Sequence, residues 1–321
     1  MRDNIPNDSN FEINKEKLLN NKQYIKILKV IFILLFFYTS NKLNSESKSE
    51  RLKYNYINLD KYKETINLVE NGTLEIYRNP KQTEMIETKD ELLYKTDIVF
   101  LVIPGGSYQN LGKPEKLPVA KKFFSLGYSS STLNYSVYPK CYPTQYNQGL
   151  QAIKILSSKF KKIVLIGFSA GGHLAGLLGT TERKKLFNAV AMILCYPVIS
   201  FSEKAHEKSR KNFFGNKIKN DEKHRELFSI QNRVNSNTLP TFIWTLKNDE
   251  VVPYENTLFM IEKLKENNVT FESIIYEKGR HGMALADETA ISYGKSEYRN
   301  KKIAKWVNLS CQFIEKIIIN N

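Results

Sequence analysis

Residues 163–173 read IVLIGFSAGGH: an apolar run, then a serine set between glycines, then small residues and a histidine. The run at 163–166 has strand character and residues 172–178 are compatible with a helix, so Ser169 falls at a strand-to-helix turn. Gly167, Ser169 and Gly171 have the G-x-S-x-G spacing of a nucleophile elbow. So tight a turn crowds the backbone, and small residues must flank the serine on both sides. The following helix aims its free N–H groups back at the hydroxyl, where an oxyanion would form. The competing reading is an ordinary turn serine. Partners elsewhere in the chain decide between the two.

Working outward, apolar runs at 98–103, 130–135, 162–168, 189–196, 241–246 and 270–276 read as strands, two of them stopped by Pro104 and Pro197. Amphipathic spacing predicts helices over 117–126, 144–160, 256–268 and 299–319. Apolar strands alternating with helical crossovers imply an α/β fold, a mostly parallel central sheet with helices on both faces. Ligands in such sheets bind beyond the carboxyl ends of the strands, so polar residues at strand exits become candidates.

A serine nucleophile needs a base, and the base needs an orienting acid. Of the four histidines, His206 and His224 lie in a Lys/Glu-rich segment of loop character, where solvated surface is the default, and His173 reads as helix packing. His281 follows the last strand in EKGRHGMAL, a glycine-flanked loop at a carboxyl end, and is the candidate base. The segment TFIWTLKNDEVVP delivers Asp249 to the exit of the strand before it, in the order Ser, Asp, His. An Asx-turn explains Asp249 as well, and Glu250 is the alternative acid. The loop Pro104-Gly105-Gly106-Ser107-Tyr108 follows the 98–103 strand, and its glycines let backbone N–H groups approach an incoming carbonyl. With the Ala170 N–H, four parts of one chemistry stand at four strand exits in the right order. They favour a serine hydrolase over coincidence.

The segments VIPGGSY, LNYSVYPKCYP, IGFSAGGHLAG, CYPVISF, IWTLKNDEVVP and YEKGRHG together resemble the α/β-hydrolase fold. More narrowly they are similar to the acetyl xylan esterase and feruloyl esterase-like branch, related to hormone-sensitive-lipase-type esterases, over about residues 70–318. The resemblance implies a small insert over the site and a carboxylic ester hydrolase that deacetylates acetylated sugars or small acetyl esters, with no cofactor and no metal. It makes Ser169 the nucleophile, Asp249 the acid and His281 the base, and puts Gly105, Gly106 and Ala170 at oxyanion positions. Two departures stand near the pocket: Ser107 replaces a third glycine, and Ser136 replaces the arginine of an LNYR stretch. Residues 200–231 form a lysine-rich insert in place of a compact cap. The alternatives are a prolyl-oligopeptidase-like serine peptidase, against which the missing propeller domain counts, and a non-catalytic membrane-tethered binding module.

The 321 residues, 41% hydrophobic, suit one domain of about 250–270 residues plus extra segments. The charge of +15 comes from lysines scattered along an Asn-rich chain, and no RNP, zinc-finger or P-loop pattern accompanies it, which argues against nucleic acid as a partner. Cys141, Cys195 and Cys311 are too few and too widely spaced for a disulfide framework or a zinc site, and Cys195 reads as a core thiol. Residues 1–54 form a leader and 55–321 the hydrolase domain. The leader carries Lys15, Lys17, Lys22, Lys26 and Lys29, then the apolar run VIFILLFFY at 30–38, then a serine-rich polar stretch. That order is similar to a signal sequence or anchor and points to export or membrane association, although a bilayer span takes about 20 apolar residues. A buried helix of the domain is the alternative.

Overall fold

The structure is a computed structural model that describes residues 58–320, apart from 82–83, 89–90, 217 and 219. The leader and its apolar run lie outside the described residues. Among those described, no helix is long and apolar enough to cross a membrane.

The chain makes strands β1 (Lys63–Asn67), β2 (Thr73–Tyr77), β3 (Met85–Glu87), β4 (Leu92–Tyr94), β5 (Ile98–Ile103), β6 (Ser129–Asn134), β7 (Lys162–Phe168), β8 (Ala189–Cys195), β9 (Thr241–Leu246) and β10 (Phe271–Tyr276). Helices α1 (Leu117–Ser125), α2 (Thr144–Ser157), α3 (Ala170–Gly179), α4 (Arg183–Leu186), α5 (Glu207–Phe214), α6 (Glu222–Phe228), α7 (Glu255–Glu266) and α8 (Trp306–Asn320) connect them. Among the described residues eight strands form one sheet in the order β1-β2-β6-β5-β7-β8-β9-β10. From β6 to β10 all neighbours are parallel, while β2 runs antiparallel to β6 and β1 to β2. This is the α/β-hydrolase architecture, with β3 and β4 as a separate hairpin.

Strand β5 shows why both faces are covered. Every one of its residues is buried, and each large apolar side chain so placed contributes about 1.5–3 kcal/mol relative to exposure. Because side chains alternate across a strand, Val99, Leu101 and Ile103 join a cluster with Ile153 of α2 and Leu174 of α3. Between them, Phe100 turns to the other face and stacks on Phe123 of α1 at 4.3 Å, and Phe123 in turn meets Trp306 of α8. Strand β6 is as buried but polar: Ser129 and Ser131 stay inside by donating to the Thr96 and Phe100 carbonyls.

Three expectations change. The closing helix begins at Trp306 rather than at 299, because the Asn300 carboxamide accepts from the Lys302 and Ile303 N–H groups and starts a separate 3₁₀ turn at Ile303–Lys305. The edge strand β1, its neighbour β2 and the β3–β4 hairpin are short or mix polar with apolar residues, and they escape a search for apolar runs. The insert at 200–231 is not a solvated loop. It folds into α5 and α6, which help to bury an aromatic cluster of Phe201, Phe213, Phe214 and Phe228 and leave their lysines exposed.

Candidate active site

The connections leaving β5 and β7 part to opposite sides of the sheet, since β6 lies on one flank of β5 and β8 on the far flank of β7. A crevice must open outside the carboxyl ends of those two strands. Ile103 pairs with Gly167, so the Pro104–Gly106 turn and Ser169 emerge side by side.

Ser169 has φ 51° and ψ −118°, a region L-residues avoid and one that costs on the order of 1–3 kcal/mol. Backbone bonds on both sides hold it there: its N–H donates to the Cys195 carbonyl at 3.0 Å, and its carbonyl accepts from His173 and Val198 at 3.2 and 3.0 Å. Gly171 is required because a Cβ there would collide with the Ile103 and Pro104 carbonyls. The elbow thus holds the hydroxyl above the sheet.

His281 and Asp249 arrive from the neighbouring strand ends β10 and β9, which pair at Tyr276 and Leu246. The His281 Nε2 lies 2.8 Å from Ser169 Oγ and its Nδ1 lies 2.7 Å from Asp249 Oδ2. The second oxygen, Oδ1, accepts from the Val251 and Val252 N–H groups, both at 2.9 Å. The Asp249 side chain is wholly buried, whereas Glu250 is exposed. The histidine loop is itself fastened. Gly279 N–H donates to Asn248 Oδ1, Ala284 N–H to the Tyr196 hydroxyl, and Trp306 Nε1 to the Ala284 carbonyl. Ser169, His281 and Asp249 therefore form one hydrogen-bonded chain.

The expectation for Gly105 is corrected. Its N–H donates to Glu115 Oε2 at 2.8 Å and is not free to receive an oxyanion. The next two peptide units are held differently. A trans peptide fixes its N–H opposite its carbonyl. The Gly105 carbonyl accepts from Gly112 at 2.9 Å, and the Gly106 carbonyl accepts from Gln109 and Asn110 at 2.9 and 3.1 Å. The N–H groups of Gly106 and Ser107 are thereby turned away from those partners. In the same way the Ser169 carbonyl sets the direction of the Ala170 N–H. Gly106 has φ 121°, a conformation open to glycine. The loop lies against the nucleophile, since a Cβ at Gly105 would come within 2.9 Å of Ser169 Cβ. The donors offered are Gly106, Ser107 and Ala170, so the departure at Ser107 leaves the backbone donor in place.

Three further residues support the site, and the sequence reading missed them. Asn212 of α5 donates to the Ser107 carbonyl at 2.9 Å, which ties the insert to this loop. Glu115 and Tyr196 are buried and bonded to each other at 2.7 Å. Glu115 stands in a K-P-E-K turn that looks solvated, and Asn212 in a lysine-rich helix; no local signal marks either. His173 is buried, its Nδ1 2.9 Å from the Tyr108 hydroxyl and its Nε2 2.9 Å from the Phe228 carbonyl, so it packs the helix against the loop and the insert. Burial pushes its pKa down to about 3. His206 is half-buried rather than solvated, bonded through Nδ1 to Ser209 Oγ at 2.7 Å. The three cysteines are buried. Among the described residues no group of three or more His, Cys, Asp or Glu side chains could hold a metal ion.

Known proteins share the fold. The chain matches the family BD-FAE over residues 88–264. It is 30% identical over 220 residues, 62% of this chain, to endo-1,4-beta-xylanase B of Butyrivibrio fibrisolvens. It is 28% identical over 194 residues, 57% of this chain, to an acetylxylan esterase of Xylanibacter ruminicola. The matches span 34% and 40% of the length of those two relatives. Among solved structures, an acetyl ester-xyloside bifunctional hydrolase from Caldicellulosiruptor lactoaceticus superposes with TM-score 0.64 at 29% identity, covering 79% of this chain and 91% of that one. A sugar hydrolase from Lactococcus lactis gives 0.62 at 28% identity, covering 79% and 97%. With the family matched over more than half of its length and the hydrolase sheet in place, the chain belongs to the BD-FAE family.

Proposed function

We propose that this chain is a serine-dependent carboxylic ester hydrolase that removes acetyl groups from acetylated sugars or small acetyl esters. The observation that carries the reading is the Ser169–His281–Asp249 chain at 2.8 and 2.7 Å beside three backbone donors. Ser169 Oγ attacks the ester carbonyl while His281 Nε2 takes its proton. Asp249 holds the Nδ1–H and steadies the imidazolium. The carbonyl electrons move onto oxygen, which the Gly106, Ser107 and Ala170 N–H groups receive. Collapse expels the alcohol, which takes the proton back from His281. Water then repeats the sequence on the acyl-enzyme and releases the acid. The names of the relatives, an acetylxylan esterase and an acetyl ester-xyloside hydrolase, favour acetyl as the acyl group.

The test is hydrolysis of p-nitrophenyl acetate by the wild type and by Ser169→Ala, with a panel of acetylated sugars and a decanoyl ester beside it. The alanine variant is expected to lose at least about 10³-fold in kcat while remaining folded. Retained turnover would remove Ser169 as nucleophile, and equal kcat/KM for acetyl and decanoyl esters would remove the acyl preference. We also infer that the leader directs the chain to or across a membrane, on the strength of the lysine-flanked run at 30–38. Fractionation that found the full-length protein wholly in the cytoplasm would overturn this.

A further inference from the structure

The reaction as written needs one carboxylate, yet a second lies buried beside it. Glu115 Oε2 accepts from the Gly105 N–H at 2.8 Å and Oε1 from the Tyr196 hydroxyl at 2.7 Å. That hydroxyl accepts in turn from Ala284 N–H at 3.0 Å, three residues past His281. The Tyr196 ring also meets the His281 imidazole edge-on, with centroids 4.9 Å apart. One carboxylate therefore joins the loop that offers the oxyanion donors to the loop that carries the base. Its two oxygens both accept, and the single tyrosine proton is spent on it, which is the donor set of an anion. Burial works against that charge and holds the pKa above the ordinary carboxylate value, an effect that the two donors and the nearby charges of His281 and Lys295 partly offset.

We propose that Glu115 is a positioning residue that locks the oxyanion loop to the His281 loop and whose charge supports the His281 imidazolium. The proposal rests on the ester-hydrolase reading. Other groups act on the same imidazole. Asp249 faces it from the loop after β9, and His206 from the start of α5, itself flanked by Glu207 and Lys208. Lys278 and Arg280 on its own loop are exposed. Glu115 acts from a fourth direction, through Tyr196.

The experiment compares the wild type with Glu115→Gln, which keeps the shape and removes the charge, on p-nitrophenyl acetate across pH. A lost anion makes the imidazolium less favourable, so the acidic limb of kcat/KM should move to lower pH, by roughly half to one unit. In the same variant kcat should fall about 10- to 100-fold with KM within about threefold. The His281 ring titration followed by NMR should show the same downward shift, and it reads Glu115 even in an enzyme that does not turn over. A wild type inactive on every ester would refute the hydrolase reading and leave this titration to decide the charge effect. Should Glu115→Gln fail to fold, Tyr196→Phe removes only the bridging hydroxyl and should lower kcat about three- to tenfold. An unmoved limb and titration in Glu115→Gln, or a Tyr196→Phe kcat within about twofold of wild type, would overturn the proposal.

Discussion

Replacing Asp249 by asparagine changes one atom, and the surrounding hydrogen bonds dictate how the new side chain must sit. Two backbone donors, Val251 and Val252, point at Oδ1 from 2.9 Å. The amide oxygen must stay there, because turning the NH₂ towards them would oppose donor to donor in a buried site at about 1–3 kcal/mol for each unmet group. The NH₂ is thus left facing His281 Nδ1 across the 2.7 Å contact. It can only donate, so Nδ1 becomes the acceptor and the ring proton moves to Nε2. That nitrogen lies 2.8 Å from Ser169 Oγ and can no longer take the serine proton. The variant also loses the charge that steadies the imidazolium. Together these should lower kcat by about 10²–10⁴, or roughly 2.7–5.4 kcal/mol on the barrier. Glu250 is exposed, and Glu250→Gln should cost less than about tenfold. Steady-state turnover of p-nitrophenyl acetate, normalised by active-site titration, reads both. A kcat for Asp249→Asn within tenfold of wild type, or a larger loss in Glu250→Gln, would refute the reasoning and move the acid to Glu250.

Other outcomes follow from the supports of the site. His173 has its pKa held at about 3 by burial, below the unfolded value of about 6.5, so its contribution to stability is present above 6.5 and fades as pH falls towards 3. Between pH 6.5 and 5 the loss is about 2 kcal/mol, and His173→Gln, less stable at pH 8, should show a flatter dependence in denaturant melts; parallel curves would contradict this. Asn212→Ala frees the Ser107 carbonyl and should lower kcat about three- to tenfold with little change in KM, the worth of one hydrogen bond of about 1 kcal/mol. Unchanged kcat would mean the insert does not hold the loop.

What the sequence determined by itself is what short-range chemistry encodes. A serine that must turn from strand to helix needs glycines beside it, and the fully buried strand β5 is an unbroken apolar run, so the elbow, most of the sheet and the positions of Ser169 and His281 were legible. The edge strand β1 has no such constraint, since four of its five residues are exposed, and it left no pattern. The tertiary structure alone decided matters that depend on which way a group points. Asp249 and Glu250 are adjacent loop carboxylates, separable only by which one β9 turns inward towards His281. Gly105 and Gly106 are alike as letters, yet a peptide plane has two sides. Glu115 takes the N–H of the first and leaves that of the second free. Phe213 and Phe214 among lysines read as a solvated insert until the aromatic cluster forms beneath them, because burial is a property of distant contacts and not of neighbours in the chain.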